Sequence, residues 1–495
     1  MGQGRSVGTA GSPVQRSRRR SEIALIVAAL IGACALLTGL PGQAQAQPAP
    51  GNQNSVFPPP HNDDVAEHQH HFWTLSKLPP QSYMREIYWQ HSSDTPAFFR
   101  DSLLQLVGRT YYFNKDNFNG TRSQAWTGGG WIAFRSGLIG NVFGVHAAFY
   151  TSQPFFAPEG EGGTRLLTQE QDPLNVIGQV YGRIQIMDQE IRGGRMLVDT
   201  PLINPQDSRM VPNTFEGVQL VTLPDKDRMY DYAAGYLWTI KPRDSNDFIP
   251  MSDALAGADV VNREVPFAMV KVRPLPGLTA IAMDYYMQDF INTSFGQVEY
   301  NFQPSKQHPN FTFGANVIGQ SSVGANLLGG PSFETYQFSA KGQMSYMGWT
   351  LFAAGSVTGS ERNIASPFGT KPNYTDMQQV SFDNANEKAI GGSVAYDLGY
   401  AFGQYGLSGL SVGAWYTQGW DAINGITGAA IADRRELDLW IQYRPNDGPL
   451  KGLRMRAAYA EVWQDGNVRS KQPELRLIVD YTVLFRPPPV VAVKY

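Results

Sequence analysis

Gly448 to Tyr459 reads GPLKGLRMRAAY, and a strand through it would carry two arginines on one face and a row of apolar side chains on the other. Side chains alternate faces in a β-strand. Leu453, Met455, Ala457 and Tyr459 therefore fall on one side, and Arg454, Arg456 and Ala458 on the other. The flanking segments repeat the pattern. Leu437, Leu439, Ile441 and Tyr443 oppose Glu436, Asp438, Gln442 and Arg444, while Leu475, Leu477, Val479, Tyr481, Val483 and Phe485 oppose Glu474, Arg476, Asp480 and Thr482. In a water-filled barrel the apolar face meets lipid and the charged face meets the lumen; in a soluble sandwich the same faces are core and surface. The alternation alone fits both, so the remainder of the chain decides.

Charged residues make up only 17% of the 495 residues, whereas aromatics reach 12% and glycine numbers 51, a mixture suited to many strands and tight turns. No composition break divides the chain into domains. Basic Arg16 to Arg20, apolar Ile23 to Leu37 and the small-x-small site Ala44-Gln45-Ala46 read as a cleaved secretory signal over residues 1–46. Its removal takes five basic residues and one acidic residue, moving the formal charge from −3 to −7, which argues against a nucleic-acid partner. The sole cysteine, Cys34, leaves with it, so no disulfide is expected in the exported protein. No later run approaches the ~20 apolar residues of a spanning helix. A membrane location would therefore require crossing as strands, whose backbone groups a closed barrel would satisfy.

Residues 47–97 form a Pro-, Gln-, Asn- and His-rich extension, expected to be largely irregular. His61, His68, His70 and His71 lie in it without cysteines or helical spacing, so we assign no metal site and no cofactor. Phe72, Trp73, Tyr83, Tyr88 and Trp89 suggest that part of it packs, at the barrel mouth. Residues 98–495 form the barrel. Strand-like segments run from Ser123 to Ser136 and from Asn141 to Tyr150, then through Ile177–Met187, Arg195–Val198, Thr214–Thr222, Asp231–Ile240, Phe267–Val272 and Thr279–Gln288. They continue with Phe295–Phe302, Phe311–Val317, Thr335–Met344, Thr350–Thr358, Ala389–Asp397 and Ser411–Thr417 before the final three. At about 25 residues per strand and loop the exported chain holds about 18 strands. Lys241 to Val265 and Gly359 to Lys388 are long and polar and are assigned outside; Pro274 to Gly277 and Pro445 to Gly448 are short turns on the periplasmic side.

Phe98-Phe99-Arg100-Asp101-Ser102, Arg109 to Asp116 (RTYYFNKD) and Gln124-Ala125-Trp126 resemble the opening of the OprD family of substrate-selective outer-membrane porins. Asp207 to Gly217 (DSRMVPNTFEG) resembles that family's pore-loop segment. Further similar blocks, in family order, are Asn373 to Met377, Glu387 to Ala389, Ala395 to Leu398, Gly448 to Leu453 and Glu474 to Tyr481. The resemblance implies an 18-stranded all-β transmembrane barrel in the outer membrane of a Gram-negative bacterium. It also implies an inward-folded third external loop and basic wall residues that lead carboxylate-bearing solutes through the pore. Implied surroundings and partners are outer-membrane lipid and lipopolysaccharide, the barrel assembly machinery and, as assembly, a monomer or homotrimer. Carried over by position, Arg454 and Arg456 match the paired wall arginines, Arg109 an arginine of the first strand, Arg209 a pore-loop position and Tyr374 the seventh external loop. Where the family usually has Phe-Asn-Arg-Ala-Gly-Glu, Phe382 to Glu387 reads FDNANE, so Asn384 replaces a cation.

An arginine on a narrow wet wall suits carboxylates, being always charged and able to bind both oxygens at once. Conduction requires several weak sites in series. Arg109, Arg209, Tyr374, Arg444, Arg454, Arg456 and Arg476 are the candidate solute-contacting residues. The competing reading of Arg454 and Arg456 is that they pair with Glu436, Asp438 or Asp480 on adjacent strands. Arg183, facing with Tyr181 and Gln185, reads as a wall residue. No catalytic residues are assigned: G-x-S-x-G, H-E-x-x-H and the phosphate-loop motif are absent, and His146 and His308 are isolated. A barrel-form hydrolase and a mainly structural, closed barrel remain the alternatives.

Overall fold

The computed structural model describes residues 84–487, apart from 90, 93, 224–227, 258–259, 306 and 406–407. The expected leader, the four histidines His61 to His71 and the end of the chain lie outside these residues. In chain order the elements are β1 (Arg85–Tyr88), α1 (Ala97–Arg100), β2 (Leu103–Asp116), β3 (Arg122–Arg135), β4 (Phe143–Phe156), β5 (Leu174–Ile186) and β6 (Gln189–Met196). Then come β7 (Thr214–Thr222), β8 (Tyr230–Lys241), β9 (Ile249–Pro250), α2 (Met251–Ala256), β10 (Val265–Leu275), β11 (Leu278–Met287), β12 (Ile291–Phe302) and β13 (Asn310–Ser322). The chain continues with β14 (Glu334–Tyr346), β15 (Trp349–Thr358), β16 (Lys388–Asp397), α3 (Leu398–Phe402), β17 (Leu410–Trp420), β18 (Arg434–Tyr443), β19 (Leu453–Gln464) and β20 (Lys471–Arg486).

Eighteen of these strands, β2–β8 and β10–β20, pair antiparallel in sequence order and close into a barrel. The seam joins β2 to β20, from Leu104 opposite Phe485 to Lys115 opposite Glu474, so no edge is left for lipid to meet. The alternation read from the final strands holds. Leu439, Ile441, Met455 and Leu477 are exposed on the outer face, while Glu436, Asp438, Arg456, Glu474, Arg476 and Asp480 are buried on the inner one. One rim carries short links, such as Met347-Gly348 between β14 and β15. Both residues there have positive φ, the twist that a two-residue hairpin demands. The other rim carries the long connections 157–173, 197–213, 242–264 and 359–387.

Three features depart from the pattern read in the sequence. Arg195–Val198 was expected to be a strand, but the strand is Gln189–Met196; Gly193-Gly194 looks like a turn yet pairs across to β5 and β7. Leu103–Asp116 lacks simple alternation because Tyr111 and Phe113 face inward, where they pack with Met210 and Val211 of the 197–213 loop. The 359–387 connection, assigned outside, turns back into the lumen, where Ile364, Phe368, Tyr374, Val380 and Phe382 are buried. This second inward loop shapes the pore as much as the first.

The lumen is filled unevenly. Inward side chains of β7, β8 and β10–β12 form one apolar cluster with Leu202 and Ile203 of the first inward loop, Met251 of α2 and Phe368 of the second. That packing closes one side of the barrel and leaves open space toward β2 and β18–β20. At the short-turn rim β20 extends past β19, and β1 pairs with it in parallel, Arg85 opposite Val483. Of the extension's aromatic residues, Trp89 stacks on Phe485 with ring centroids 6.0 Å apart and Tyr88 is exposed, while Phe72, Trp73 and Tyr83 lie outside the described residues.

Single cysteines at Ile426 or Val468 should react with an impermeant maleimide on intact cells, and cysteines at Met187 or Met347 should not. The reverse pattern would invert the orientation. Leu477→Arg, placing a charge on the lipid face near the middle of β20, should destabilise the barrel by roughly 2–4 kcal/mol in denaturant titrations in vesicles. Val468→Arg in the exposed β19–β20 turn should stay within about 0.5 kcal/mol. Equal costs would overturn the outward assignment of Leu477.

Candidate functional site

A cavity of about 370 Å³ lies between the two inward loops and the β2, β18, β19 and β20 wall. Eight Arg or Lys side chains and four Asp or Glu side chains border it, so a protein of net negative charge has a net positive interior at this point. The register explains how the cations come together. Arg109 on β2 and Arg454 on β19 both lie opposite Asp480 of β20; farther toward the long-loop rim Ala458 lies opposite Arg476 and Lys115 opposite Glu474. With Arg456 between these levels, the basic residues form a series along the pore.

Arg109 is the centre of the arrangement. Its Nε donates to Asp480 Oδ1 at 2.6 Å and its Nη1 to Asp207 Oδ1 at 2.8 Å; it also donates to the Arg209 carbonyl. One guanidinium thus joins the barrel wall to the pore loop. Arg454 Nε donates to the other oxygen of Asp480 at 2.7 Å, so that carboxylate sits between two cations. Arg456 lies over the Trp440 ring, 5.1 Å from its centroid, and Arg476 pairs with Glu474 while donating to the Gln378 carbonyl at 2.9 Å. Arg209 donates to the Thr164 carbonyl at 2.9 Å and lies over Phe113. Burial and the neighbouring Arg476 charge push its pKa below the ordinary arginine range, and burial together with Arg209 and Arg165 does the same to Arg243. Cations crowded in this way repel one another, and an anion between them would relieve that repulsion.

The two inward loops lock together through Asn204. Its Oδ1 accepts from the Thr370 N–H at 3.0 Å and its Nδ2 donates to the Thr370 carbonyl at 2.7 Å. The contact requires glycine at position 369: φ is +147°, and a Cβ there would stand 2.3 Å from Asn204 Oδ1. The second loop is fixed to the wall by carboxylates. Glu436 accepts the Gln379 and Val380 N–H groups, both at 2.8 Å, and Asp438 accepts that of Gln378 at 3.1 Å. Lys371 ties the loop internally to Asp376 and Asp383; burial opposes its charge, but the two carboxylates raise its pKa above the ordinary lysine value.

Five of the seven expected residues, Arg109, Arg209, Arg454, Arg456 and Arg476, border the cavity. Two are placed elsewhere. Tyr374 is fully buried with Phe352, Ala354 and Trp415, beneath Lys341, whose Nζ is 4.8 Å from its ring centre. Arg444 follows β18 at the short-turn rim, where its N–H donates to the Gly409 carbonyl. Sequence reasoning missed Arg243, Gln378 and Gln379, because their approach depends on long-range loop closure, and Lys115, whose place on the inner face of β2 with Arg109 alternation could have given. Asn384, at the position where a cation is usual, donates to Glu387, which also holds Arg434 at 2.8 Å.

The family model for outer membrane porins of the OprD family matches residues 96–485. Porin D of Pseudomonas aeruginosa is 25% identical over 441 residues, covering 81% of this chain and 95% of that protein. The porin-like protein GalP of Pseudomonas putida is 26% identical over 405 residues, 78% of this chain and 92% of its own length. The crystal structure of Pseudomonas aeruginosa OpdK with vanillate superposes with a TM-score of 0.67 at 21% identity, covering 78% of this chain and all of that one.

Removing the carboxylate that holds two N–H groups of the second loop should loosen it, since hydrogen bonds to a charged group contribute ~1.5–3 kcal/mol each. Glu436→Ala should increase open-channel noise and mean conductance in planar bilayers. Wild-type noise and conductance would show that the loop is held without Glu436.

Proposed function

Since the chain belongs to the OprD family of outer-membrane porins, and so forms a substrate-specific channel in the outer membrane of a Gram-negative bacterium, we propose that its solutes are small carboxylates. The observation that carries this reading is the run of Arg454, Arg456 and Arg476 along a cavity bordered by twice as many cations as anions. A carboxylate passing along such a wall exchanges one guanidinium for the next, and none need hold it tightly. Asp480 tempers Arg109 and Arg454, and Glu474 tempers Arg476, which keeps each station weak enough to release its solute. Vanillate, the ligand in the OpdK structure, is itself a carboxylate and supports the choice of class. Amino acids and small organic or aromatic acids all fall within it.

In liposome-swelling assays Arg454→Ala with Arg456→Ala should lower carboxylate uptake on the order of tenfold, as loss of ~1.4 kcal/mol of favourable contact implies, with little change for neutral sugars of similar size. Arg109 remains to neutralise Asp480, so the wall retains its pairing. The difference should shrink as ionic strength rises, because the site is wet and screened. An inserted double variant that keeps the wild-type ratio of acid to sugar uptake would reduce the two arginines to structural partners of the wall acids.

A further inference from the structure

Away from the arginine series, at the short-turn end, four neighbouring strands gather a second cationic group. Arg135 of β3 stands opposite His146 of β4, and His146 opposite Tyr181 of β5; nearer the rim, Arg183 of β5 stands opposite Arg192 of β6. Two arginines directly across a ladder repel each other. Glu190, fully buried, accepts from Arg135 Nη2 at 2.7 Å, Arg183 Nη1 at 3.1 Å and Arg192 Nε at 2.7 Å. Three cations on one carboxylate leave an excess of two positive charges.

The group also retains unused polar atoms. Arg183 Nε, Arg192 Nη2 and both ring nitrogens of His146 are buried with no hydrogen-bond partner among the described residues, in residues 3%, 4% and 6% exposed. Buried donors without partners are costly, and a wall built only for stability would give Glu190 a single arginine. The backbone makes room for the excess: a Cβ on Gly144 would stand 2.8 Å from Arg183 Nε. Arg135 and His146 border a small cavity of about 50 Å³ that is otherwise walled by Gln105, Gln179, Trp131 and Leu484 among others. His146 stacks on Tyr181 at 4.8 Å, and Arg192 lies over the same ring at 5.7 Å. Asp207 also borders the cavity, but Arg109 engages it.

We propose that Arg135, Arg183, Arg192 and His146 form a second anion site, which takes the carboxylate of a small organic acid at the short-turn end of the pore. The choice of ligand class rests on the function proposed above; the excess of cations does not. A carboxylate entering the cavity meets Arg135 and His146 directly, with Arg183 and Arg192 behind them. The apolar body of the acid then lies against Trp131 and Leu484. Such a site would give the solute a final station on the side where it leaves, or enters, the barrel.

The test uses purified full-length protein oriented in planar bilayers, with benzoate as the probe, added to either side while potassium chloride current is recorded. Benzoate should block from the short-turn side. Arg135→Gln should raise the half-blocking concentration from that side about tenfold, the loss expected for one charge-assisted contact. Arg192→Gln, which removes a charge behind the cavity, should act in the same direction by a smaller factor. Glu190→Gln removes the only anion of the group and should lower the half-blocking concentration, an opposite sign that simple damage to the wall does not give. Wild-type block in Arg192→Gln and Arg135→Gln channels of normal conductance, or absence of block in the wild type, would overturn the site. Failure of the carboxylate function shows separately, as an unchanged acid-to-sugar ratio in the Arg454→Ala/Arg456→Ala variant.

Discussion

Arg109 binds two carboxylates at once, and the pore depends on that geometry. Asp480 belongs to the strand that closes the barrel and Asp207 to the loop that narrows it, residues 273 positions apart in the chain. A lysine could neutralise either acid, but only a planar guanidinium offers separate N–H groups to both in fixed directions. Because Arg109 lies beside the β2–β20 seam, barrel closure and loop placement are coupled: until β2 pairs with β20, Asp480 has Arg454 alone, and the guanidinium that joins it to Asp207 is not in position. The cost of burying these charges is offset only in the closed form.

The second inward loop is held by the reverse chemistry. There the wall supplies carboxylates, Glu436 and Asp438, and the loop supplies backbone N–H groups. Acids of the wall thus have two duties, anchoring the loop and tempering the arginines, and the cavity stays cationic because the anchoring acids are spent on backbone donors. Apolar packing sets the remaining boundary. Met251, Phe290 and Phe368 fill the opposite side of the lumen, so the open path is pressed against the charged wall. On the proposed function, a solute taking that path passes along the arginine series.

Much of the barrel was legible because its outer face obeys a period of two. Leu439, Met455 and Leu477 must meet lipid, and nothing else about the fold can relax that demand. Inside, the constraint is local packing, and the signal fades. Tyr111 and Phe113 make the inner face of β2 look like an outer one, while Gly193-Gly194 looks like a turn in the middle of a strand. The cavity arginines on strands could be named from alternation and resemblance, as Arg454 and Arg456 were. Tyr374 could not be placed, since its loop has no periodicity and its burial against Trp415 follows from an inward fold that only tertiary contacts specify. The pairing of Asn204 with Thr370 was hidden for the same reason.

Cations placed side by side on a wall weaken a barrel, and this one does so twice. Arg454 and Arg456 share one face of β19, and Arg183 faces Arg192 across a ladder. A closed barrel can bear that cost, because the backbone pairing of eighteen strands is complete without help from lumen side chains. The lumen is then free to hold charge in an arrangement set by solute chemistry. In both places acids are fewer than bases: four acids against eight bases border the larger cavity, and Glu190 stands alone among Arg135, Arg183 and Arg192. Full neutralisation would have stabilised the wall and removed the attraction. Partial neutralisation leaves both groups net positive, and the proposed passage of carboxylates needs attraction of that shallow, repeated kind.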